Sequence, residues 1–563
     1  MRNTKKTAAK VFTFLLCLTL LAGCTDSNGN SSQNGNGNDT QVTATADPGN
    51  SNTDNDKNNN NTNTDPTGTV EVSTTPDNGN GDNNTDNQTG NNSENSEFSV
   101  PASATFKTVS IEYKNKDLAT SYVPGDCTSI VFSEDDVKVV GKETEISYAN
   151  GRKTVTIVKK GDYLISGSCS NGQIIVEAEN EKDVRLILNG VNLTCTDSAP
   201  IYEKQCDKMV ITLADGSENF LSDTSEYVYD NVEKKHPDAV IFAKDDLVIN
   251  GNGSLTVNST YSEGIHSTDS VKLISGNITV KSADNGVRGK EGVIIKEANL
   301  DITSKGDGIK TTYSDNTSLG YIIIEGGKIK VYSAKDGIQA TGHIQITGGN
   351  IDITTDNGVA HADSDEESKS AKGIKSDNNI YIKGAGLKIE SVEDGIKAGG
   401  NIIFDGDSVS ISTIDDAVKA DGDIVVNSGN VSVGNAKKGL KGKSVTVNGG
   451  SVALITESDG IKASNSKDDD ADSKVIFGED DPFAVSEDVY VAVTGGDLSI
   501  ATDGDFIDSN GNLYITGGSI VLNGTKAAED GGVSYKGVAH ISGGNIEANG
   551  VGDIKDKILN KTE

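Results

Sequence analysis

Along most of the chain, short runs of alternating apolar and polar residues are separated by pairs of glycine. The pattern is clear in IQITGGNIDI at residues 344–353 and in VTVNGGSV at residues 445–452. Alternation with a period of two places Val and Ile on one face of a strand and Thr, Asp or Lys on the other. The glycine pair favours a sharp corner with positive φ. The pattern therefore predicts short strands with an apolar inner face, and we find no segment with convincing helical periodicity.

A second signal is a tetrad of the form Asp-Gly-Ile-Lys. Unchanged copies begin at Asp307, Asp394 and Asp459, and looser copies begin at Glu263, Asn285, Asp336, Lys372, Asp416 and Lys438. From 264 to 308, and again from 373 to 439, the second residue of the tetrad recurs every 22 residues. A fixed period of this size is typical of repeat architectures. Three short strands and three corners per period predict one coil of a parallel β-helix.

Longer spacings between tetrads predict loops inserted between coils. Acidic insertions are expected at residues 361–371 and 464–484. With these set aside, residues 128–555 make roughly 17 coils, which would stack at about 4.8 Å into a rod of about 80 Å. Residues 99–127 are expected to lead into the β-helix, and residues 556–563 to form a C-terminal tail.

The first 98 residues predict export rather than folded structure. Arg2, Lys5, Lys6 and Lys10 precede an apolar stretch that ends in LAGC at Cys24, as in a bacterial lipoprotein signal. An ordinary signal with a chance cysteine is the alternative. The apolar run of residues 1–24 is too short for a stable spanning helix, so we expect membrane attachment only through lipid on Cys24, at the outer face of the cell. Residues 25–98, rich in Asn, Gly, Ser, Thr and Asp, predict a disordered linker.

Composition narrows the possible partners. The 563 residues include 84 acidic and 50 basic side chains, which gives a net charge of −34. Because such a charge repels nucleic acid and anionic lipid surfaces, neither is expected to bind the main body. The absence of Trp and an aromatic content of 5% disfavour a helical bundle or an enzyme with a large aromatic core. The five His show no nucleophile or zinc spacing.

Four cysteines lie outside the signal, at Cys127, Cys169, Cys195 and Cys206. Four thiols in an exported chain of this length do not make a disulfide framework. One or two bridges and buried free thiols are both compatible with the sequence.

Residues 161–223 carry the most specific signal. They contain, in order, GDYLISG at 161–167, GQIIV at 172–176, VRLILNGV at 184–191, APIY at 199–202 and VITLADGSEN at 210–219. Together with the tetrads, this block resembles a family of secreted bacterial carbohydrate-binding β-helix proteins that are similar to polysaccharide lyases. Its typical member is a clostridial protein that binds cellulose and acidic pectic polysaccharide. The resemblance implies an all-β, right-handed parallel β-helix, bound calcium, and binding without demonstrated cleavage.

In a β-helix, equivalent positions of successive coils stack directly, so the first and fourth tetrad residues should form two parallel columns. The first column is expected to run through Glu263, Asn285, Asp307, Asp336, Lys372, Asp394, Asp416, Lys438, Asp459 and Asp505. The second is expected to run through His266, Arg288, Lys310, Gln339, Lys375, Lys397, Lys419, Lys441, Lys462 and Asp508. On the simplest interpretation, the opposite charges of the two columns neutralise each other within each tetrad.

Calcium is expected where that neutralisation fails, because two stacked carboxylates about 4.8 Å apart can share one ion. Asp505 faces Asp508, which makes this coil the first candidate, and Asp336 facing Gln339 is the second. The other candidate ligands in the first column are Asp307, Asp394, Asp416 and Asp459. The acidic run at 468–472 is a weaker candidate, because charge runs are usually solvated.

The opposite imbalance is expected at Lys437, Lys438, Lys441 and Lys443, where the acidic column is interrupted. Excess positive charge there would attract a uronate polymer, with calcium bridging elsewhere. Lys397 and Lys419 of the second column are the other two candidate ligand-binding lysines. Pairing of these lysines with carboxylates of the neighbouring coils is the alternative.

The sequence is compatible with three functions. The first is a monomeric, surface-anchored protein that binds cellulose or pectin-type polysaccharide without cleaving it. Because the chain has no Trp, stacking on sugar rings would fall to Tyr321, Tyr332, Tyr381, Tyr490 and Tyr514. The second is a calcium-dependent, pectate-type lyase in which Lys397 or Lys419 removes the proton beside a metal-polarised uronate carboxyl. A catalytic site should stand out as one unusual coil, whereas the tetrads repeat almost unchanged. The third is a passive adhesin or spacer.

Overall fold

The computed structural model describes residues 99–141, 144–149, 151–179, 183–229, 236–316, 318–359, 370–465, 488–524 and 532–549. Residues 1–98 with Cys24, most of the insertions at 361–371 and 464–484, and the tail at 556–563 lie outside these ranges. Within them, almost all regular structure is β-strand, apart from a helix at Asn115–Leu118 and a 3-10 turn at Pro124–Asp126. Neither of these is long and apolar enough to cross a membrane.

Each coil of the chain contributes a strand to three sheets in turn. In one coil, Gly292–Ile295 lies in the first sheet, Asn299–Ser304 in the second and Ile309–Thr311 in the third. Each of these strands pairs in parallel with the equivalent strand of the next coil. The parallel β-helix predicted from the repeat is therefore confirmed.

The strands of each sheet follow one another along the chain. The first sheet contains Thr128–Phe132, Val137–Val140, Lys208–Leu213, Asp246–Gly251, Ser270–Leu273, Gly292–Ile295, Tyr321–Ile324, Ile344–Ile346, Ile380–Ile382, Ser444–Val447, Tyr490–Val493, Asn512–Ile515 and Ala539–Ile541. The second contains Glu218–Asp223, Ser254–Asn258, Asn277–Ser282, Asn299–Ser304, Lys328–Ser333, Asn350–Thr355, Gly386–Ser391, Ser451–Thr456, Asp497–Thr502, Ser519–Gly524 and Asn545–Asn549. Four long strands turn the corner and belong to both sheets, namely Gly161–Cys169, Asp183–Cys195, Ile402–Thr413 and Ile424–Asn435.

The third sheet carries the tetrads. It contains Thr144–Ala149, Arg152–Ile157, Gly172–Glu177, Ile201–Gln205, Ala239–Ala243, Glu263–Ser267, Val287–Gly289, Ile309–Thr311, Ile338–Ala340, Ile374–Ser376, Ile396–Ala398, Val418–Ala420, Leu440–Gly442, Ile461–Ala463, Ile507–Ser509 and Val533–Tyr535. Over the described residues it has 16 strands, the first of which pairs antiparallel with the second. Over the described residues, the coil number is therefore somewhat below the roughly 17 expected from a 22-residue period, because three of the four coils between Val155 and Ile265 are longer than 22 residues.

The interior is one continuous apolar core. The third residue of each tetrad stacks inside the β-helix, and Ile309, Ile338 and Ile396 are completely buried. Burial of such a side chain stabilises the fold by about 1.5–3 kcal/mol. The corners are made by glycine pairs as predicted, with φ of +94° at Gly349 and +77° at Gly450.

The tetrad glycine has a different role from the corner glycines. A Cβ atom on Gly308 would lie 2.3 Å from Val331 Cγ1 and 2.5 Å from the carbonyl oxygen of Gly337 in the next coil. Glycine is therefore required here by the close approach of two coils, which brings the first and fourth tetrad residues of neighbouring coils together.

Residues 99–123, which we call the strap, run along the outer face of the first sheet. Strands of this sheet are apolar on both faces, and all of Ile322, Ile323 and Ile324 are buried. The strap packs on this outer face through a series of apolar contacts: Val100 on Tyr490 and Tyr514, Phe106 on Tyr381 and Ile403, and Tyr113 on Val210 and Val248. The segment expected to lead into the β-helix therefore covers one of its three faces.

Candidate functional site

The fourth tetrad residues align in one column on the outer face of the third sheet, as the sequence predicts. Successive strands pair in a register that runs through His266, Arg288, Lys310, Gln339, Lys375, Lys397, Lys419, Lys441, Lys462 and Asp508. The column continues toward the N-terminus with Phe242 and Tyr202.

The first tetrad residues lie at the corner between the second and third sheets, and most of them are buried. In one part of this column they tie adjacent coils together. Asn285 Oδ1 accepts the backbone N–H of Asp307 at 2.9 Å, and Asp307 Oδ1 accepts that of Asp336 at 3.0 Å. Asp336 Oδ1 accepts the N–H of Lys372 at 2.9 Å. Because each such bond to a charged group stabilises by about 1.5–3 kcal/mol, these side chains have a clear structural role.

The charge imbalance expected at Asp336 is not found. Gln339 of its own tetrad does not neutralise it, but Lys375 of the next coil places Nζ 3.7 Å from Asp336 Oδ2. Asp307 is paired within its own tetrad, with Lys310 Nζ at 2.5 Å from Oδ2. The argument that favoured calcium at Asp336 therefore fails, because the compensating charge comes from the neighbouring coil.

The coil of Asp505 and Asp508 is compensated in a similar way. Lys462 of the preceding coil forms an ion pair with Asp508. The Ser534 hydroxyl lies 3.3 Å from Asp505 Oδ2 and 3.0 Å from Asp508 Oδ1. At Asp459, burial raises the carboxyl pKa, and the positive charge of Lys462 lowers it. Asp505 and Asp508 are thus supplied with partners by protein side chains, and calcium at Asp459, Asp505 and Asp508 stays a prediction.

Two carboxylate oxygens without hydrogen-bond partners lie in adjacent coils of the first column, at Asp394 and Asp416. In both side chains, Oδ1 is buried and has no hydrogen-bond partner. Asp415 joins them, and one oxygen from each of the three carboxylates lies within 4.8 Å of the others. Burial raises the pKa of Asp394 to about 7; Asp415 and Asp416 also raise it, and Lys419 opposes them. Among the described residues, this cluster best fits the preference of calcium for oxygen ligands.

Pairing within the tetrad accounts for Asp416, whose Oδ2 lies 3.6 Å from Lys419 Nζ, but not for Asp394. Lys397, in the same tetrad as Asp394, forms its ion pair with Asp421. Asp415 was not a candidate from the sequence, because the tetrad repeat assigns one acidic position to each coil. Its only sequence signal is the doubled aspartate at Asp415-Asp416.

The six lysines predicted to bind a polymer are mostly held in ion pairs with carboxylates. Besides Lys397 with Asp421, the Nζ–carboxylate distances are 3.6 Å for Lys419 and Asp416, 3.8 Å for Lys441 and Asp416, 3.9 Å for Lys437 and Asp415, and 3.5 Å for Lys443 and Asp488. Lys438 and Lys441 are only 7% and 4% exposed. Three of the four lysines at 437–443 are therefore paired with carboxylates, and the ligand-binding role of all six lysines stays a prediction.

The surface beside these lysines is nearly closed. The cavity between Lys419 and Lys441 measures about 10 Å³, which is room for about one water molecule. Burial would lower the pKa of Lys419, but the carboxylates of Asp394, Asp416 and Asp415 raise it above its ordinary value. Such a lysine stays protonated, which is the opposite of what proton abstraction requires.

A second charged cluster, at Asp238, Glu263 and His266, lies toward the N-terminal end of the third sheet. Arg288 Nη1 lies 2.8 Å from Glu263 and Nη2 lies 3.1 Å from Asp238, so a guanidinium already occupies the position of a cation. Burial raises the pKa of Glu263 to about 8, although Arg288 opposes it. Asp238 belongs to no repeat, so sequence reasoning missed this cluster.

The tyrosines expected to stack on sugars are mostly inaccessible. Tyr381, Tyr490 and Tyr514 are 7%, 6% and 8% exposed, because the strap covers the first sheet. Tyr321, in the same sheet, stacks on the ring of His343. Tyr332 differs from these four, since it lies on the outer face of the second sheet and is 38% exposed.

Among the described residues, Cys169, Cys195 and Cys206 are buried free thiols. The Sγ of Cys127 donates a hydrogen bond to the backbone carbonyl of Val123 at 3.3 Å. Burial raises the pKa of Cys195 to about 11. Of the two alternatives left by the sequence, the structure therefore shows buried free thiols at three of the four positions, and burial makes the Cys195 thiol less reactive.

Comparison with known proteins agrees with a role in carbohydrate recognition. A family model described as "Carbohydrate-binding domain-containing protein" matches residues 151–417 and 409–555. A protein of Acetivibrio thermocellus with the same description is 38% identical over 225 residues, which cover 40% of this chain and 78% of that protein. A solved structure of a polysaccharide lyase-like protein from C. thermocellum, in a gadolinium derivative, is 38% identical in sequence to this chain. The match covers 41% of this chain and 92% of that chain, with a TM-score of 0.39.

Proposed function

The chain belongs to the family of carbohydrate-binding domain-containing proteins, and we propose that it binds acidic polysaccharide of the polygalacturonate type without cleaving it. In this proposal, a calcium ion held by Asp394, Asp415 and Asp416 assists binding. The observation that carries it is the pair of buried carboxylate oxygens at Asp394 and Asp416 that have no hydrogen-bond partner.

The three carboxylates suit calcium for a simple physical reason. A buried polar atom without a partner costs about 1–3 kcal/mol, and more when it is charged, so a cation at this point would relieve an unfavourable arrangement. Calcium takes 6–8 oxygen ligands in general, so three carboxylates leave room in its shell for other oxygens. When bound, the ion would supply positive charge that attracts the carboxylates of a uronate polymer. Cellulose carries no carboxylate and would gain nothing from this cluster.

Charge compensation by lysine sets a limit on how tightly calcium is held. Lys419 and Lys441 lie 3.6 Å and 3.8 Å from Asp416, so an ion has to share this carboxylate with two ammonium groups. The proposed site is therefore one of moderate affinity. Attachment at the cell surface through Cys24 and a monomeric state are also part of the proposal, and they rest on the sequence alone.

A lyase is less well supported than a binder. The two lysines considered as bases, Lys397 and Lys419, are both engaged with carboxylates. A lyase base has to lose its proton near the working pH, whereas ion pairing favours the protonated form. We therefore expect no unsaturated product, which would absorb in the ultraviolet, when the protein is incubated with polygalacturonate and calcium.

Calcium binding is tested with Asp394→Asn and Asp416→Asn. Calcium should raise the melting temperature of the unmodified protein, because an ion bound only by the folded state stabilises it. Each variant should weaken calcium binding by roughly tenfold or more, since affinity depends on the charge of the ligands. The shift should also be larger at pH 8 than at pH 5.5, because the pKa of Asp394 near 7 lets a proton compete with the ion at the lower pH.

Asp307→Asn is the matched control. It removes one charge from the same column at a carboxylate that is already paired with Lys310. Equal calcium shifts in the control and in both variants would contradict the assignment of the ion to this cluster. Steady growth of ultraviolet absorbance with polygalacturonate would contradict the non-catalytic part of the proposal.

A further inference from the structure

A groove of about 430 Å³ lies at the corner between the second and third sheets. It crosses the coils from Ser259 to Asn357 and ends close to the coil that carries Asp394. Its volume is within the range of sites that bind small ligands. No repeat or motif in the sequence indicated it, because its lining residues are the ordinary polar ends of strands in the second sheet.

The groove contains an accessible aromatic ring. Tyr332 is 38% exposed, and its hydroxyl donates a hydrogen bond to Asn357 Oδ1. In the strand register, Tyr332 pairs with Thr303 on one side and Thr354 on the other. Because these neighbours are small, they leave the ring uncovered, and a tyrosine held in this way offers an apolar face with a polar tip.

Two lysines line the groove on the coils before Tyr332. Lys281 and Lys305 are exposed, and neither forms an ion pair in the described part of the chain. They differ in this from the lysines of the third sheet, most of which contact carboxylates. The groove is lined by these two lysines and by one carboxylate, that of Asp356 on the far wall, so positive charge is in excess there on a chain with a net charge of −34. This local excess favours a ligand that carries negative charge.

The far wall of the groove has an unusual backbone. Asp356 and Asn357 have φ of 43° and 66°, and they are the non-glycine residues with positive φ among the residues that the structure describes. Asn and Asp tolerate this conformation better than other residues do, and the two residues form the turn that follows the strand Asn350–Thr355. Here it places Asn357 against the hydroxyl of Tyr332.

We propose that this groove binds a short segment of a carboxylated sugar chain without calcium. One pyranose ring of the segment stacks on Tyr332, and Lys281 and Lys305 hold carboxylates of the segment. The inference rests on the proposed function, namely that the chain binds acidic polysaccharide, and it names a second contact for the same polymer. Since the groove and the Asp394 cluster lie along the same corner, a polymer parallel to the axis of the β-helix can reach both.

The test is a calorimetric titration of the full chain with trigalacturonate in the presence of a chelator, which removes any contribution from calcium. Tyr332→Ala should weaken binding by about 3- to 10-fold, the loss expected for one aromatic contact. Lys281→Glu combined with Lys305→Glu should abolish binding, and added salt should weaken binding to the unmodified protein. A neutral trisaccharide should bind much more weakly than trigalacturonate.

Lys328→Glu is the matched control, because Lys328 is an exposed lysine of the second sheet that does not line the groove. It should leave the affinity nearly unchanged. The groove assignment is overturned if Tyr332→Ala and the double lysine variant bind trigalacturonate in chelator as well as the control does. It is also overturned if the unmodified protein binds polygalacturonate only with calcium. If the protein binds polygalacturonate neither with calcium nor without it, the proposed function fails together with the groove.

Discussion

At the scale of single residues, His343 shows how the strap changes the chemistry of the face it covers. This histidine is buried between the rings of Phe106 in the strap and Tyr321 in the first sheet, with centroid distances of 5.9 Å and 5.8 Å. Its Nε2 has no hydrogen-bond partner. Burial lowers the pKa of His343 to about 4. The folded protein therefore favours the neutral form of the His343 imidazole.

This shift predicts that acid destabilises the protein through His343. The unfolded chain binds a proton at this residue near pH 6.5 and the folded protein near pH 4, so the stabilisation is complete above pH 6.5 and is lost as the pH falls toward 4. The loss is on the order of 3 kcal/mol. We expect the free energy of unfolding, measured with urea, to decrease less between pH 7 and pH 4.5 for His343→Phe than for the unmodified protein. Equal decreases would contradict the role of this histidine.

At the scale of elements, the strap is held by polar anchors as well as by apolar contacts. Gln345 bonds to both the N–H and the carbonyl oxygen of Val109, at 2.7 Å and 2.8 Å. Asp117 forms a buried ion pair with Lys208 at 2.7 Å. Burial would raise the pKa of Asp117, but Lys208 and Lys272 lower it below its usual value. The first sheet is therefore built to receive this segment.

Loss of the Asp117 anchor is expected to be costly. Asp117→Ala leaves the charge of Lys208 buried without its partner, so the free energy of unfolding should fall by about 3–5 kcal/mol. Asp126→Ala, at an exposed position just beyond the strap, should change it by no more than about 0.5 kcal/mol. Chemical denaturation of the two variants checks this, and a dye that binds exposed apolar surface should bind more strongly to Asp117→Ala. Similar small changes in both variants would mean that the strap contributes little to the fold.

The strands and columns could be predicted from the sequence because they repeat, whereas the strap could not. Its residues have no period, and Val109 meets a partner 236 positions away. Ion pairs between coils were missed for a related reason: the tetrad suggests pairing with its own lysine, but Asp336 is closest to Lys375 of the next coil. The groove around Tyr332 combines polar residues from five coils, and none of them is unusual on its own strand.

At the scale of the whole β-helix, the three faces differ in what they offer a ligand. The strap covers the first face, and ion pairs neutralise much of the charge on the third. The corner between the second and third sheets carries both the groove and the cluster of Asp394, Asp415 and Asp416. A strongly acidic protein can hold an acidic polymer only where positive charge is supplied locally, and the unpaired lysines and the proposed calcium ion would supply it there.

Affinity electrophoresis of the full chain tests this account most directly. The protein is run in native gels with and without embedded polygalacturonate, each in calcium and in chelator. We predict that the polymer retards the protein strongly in calcium and less strongly in chelator, where the groove alone remains. We also predict that Asp394→Asn reduces the retardation in calcium to the level seen in chelator. A mobility that is the same with and without polygalacturonate in calcium would contradict the claim that the protein binds acidic polysaccharide.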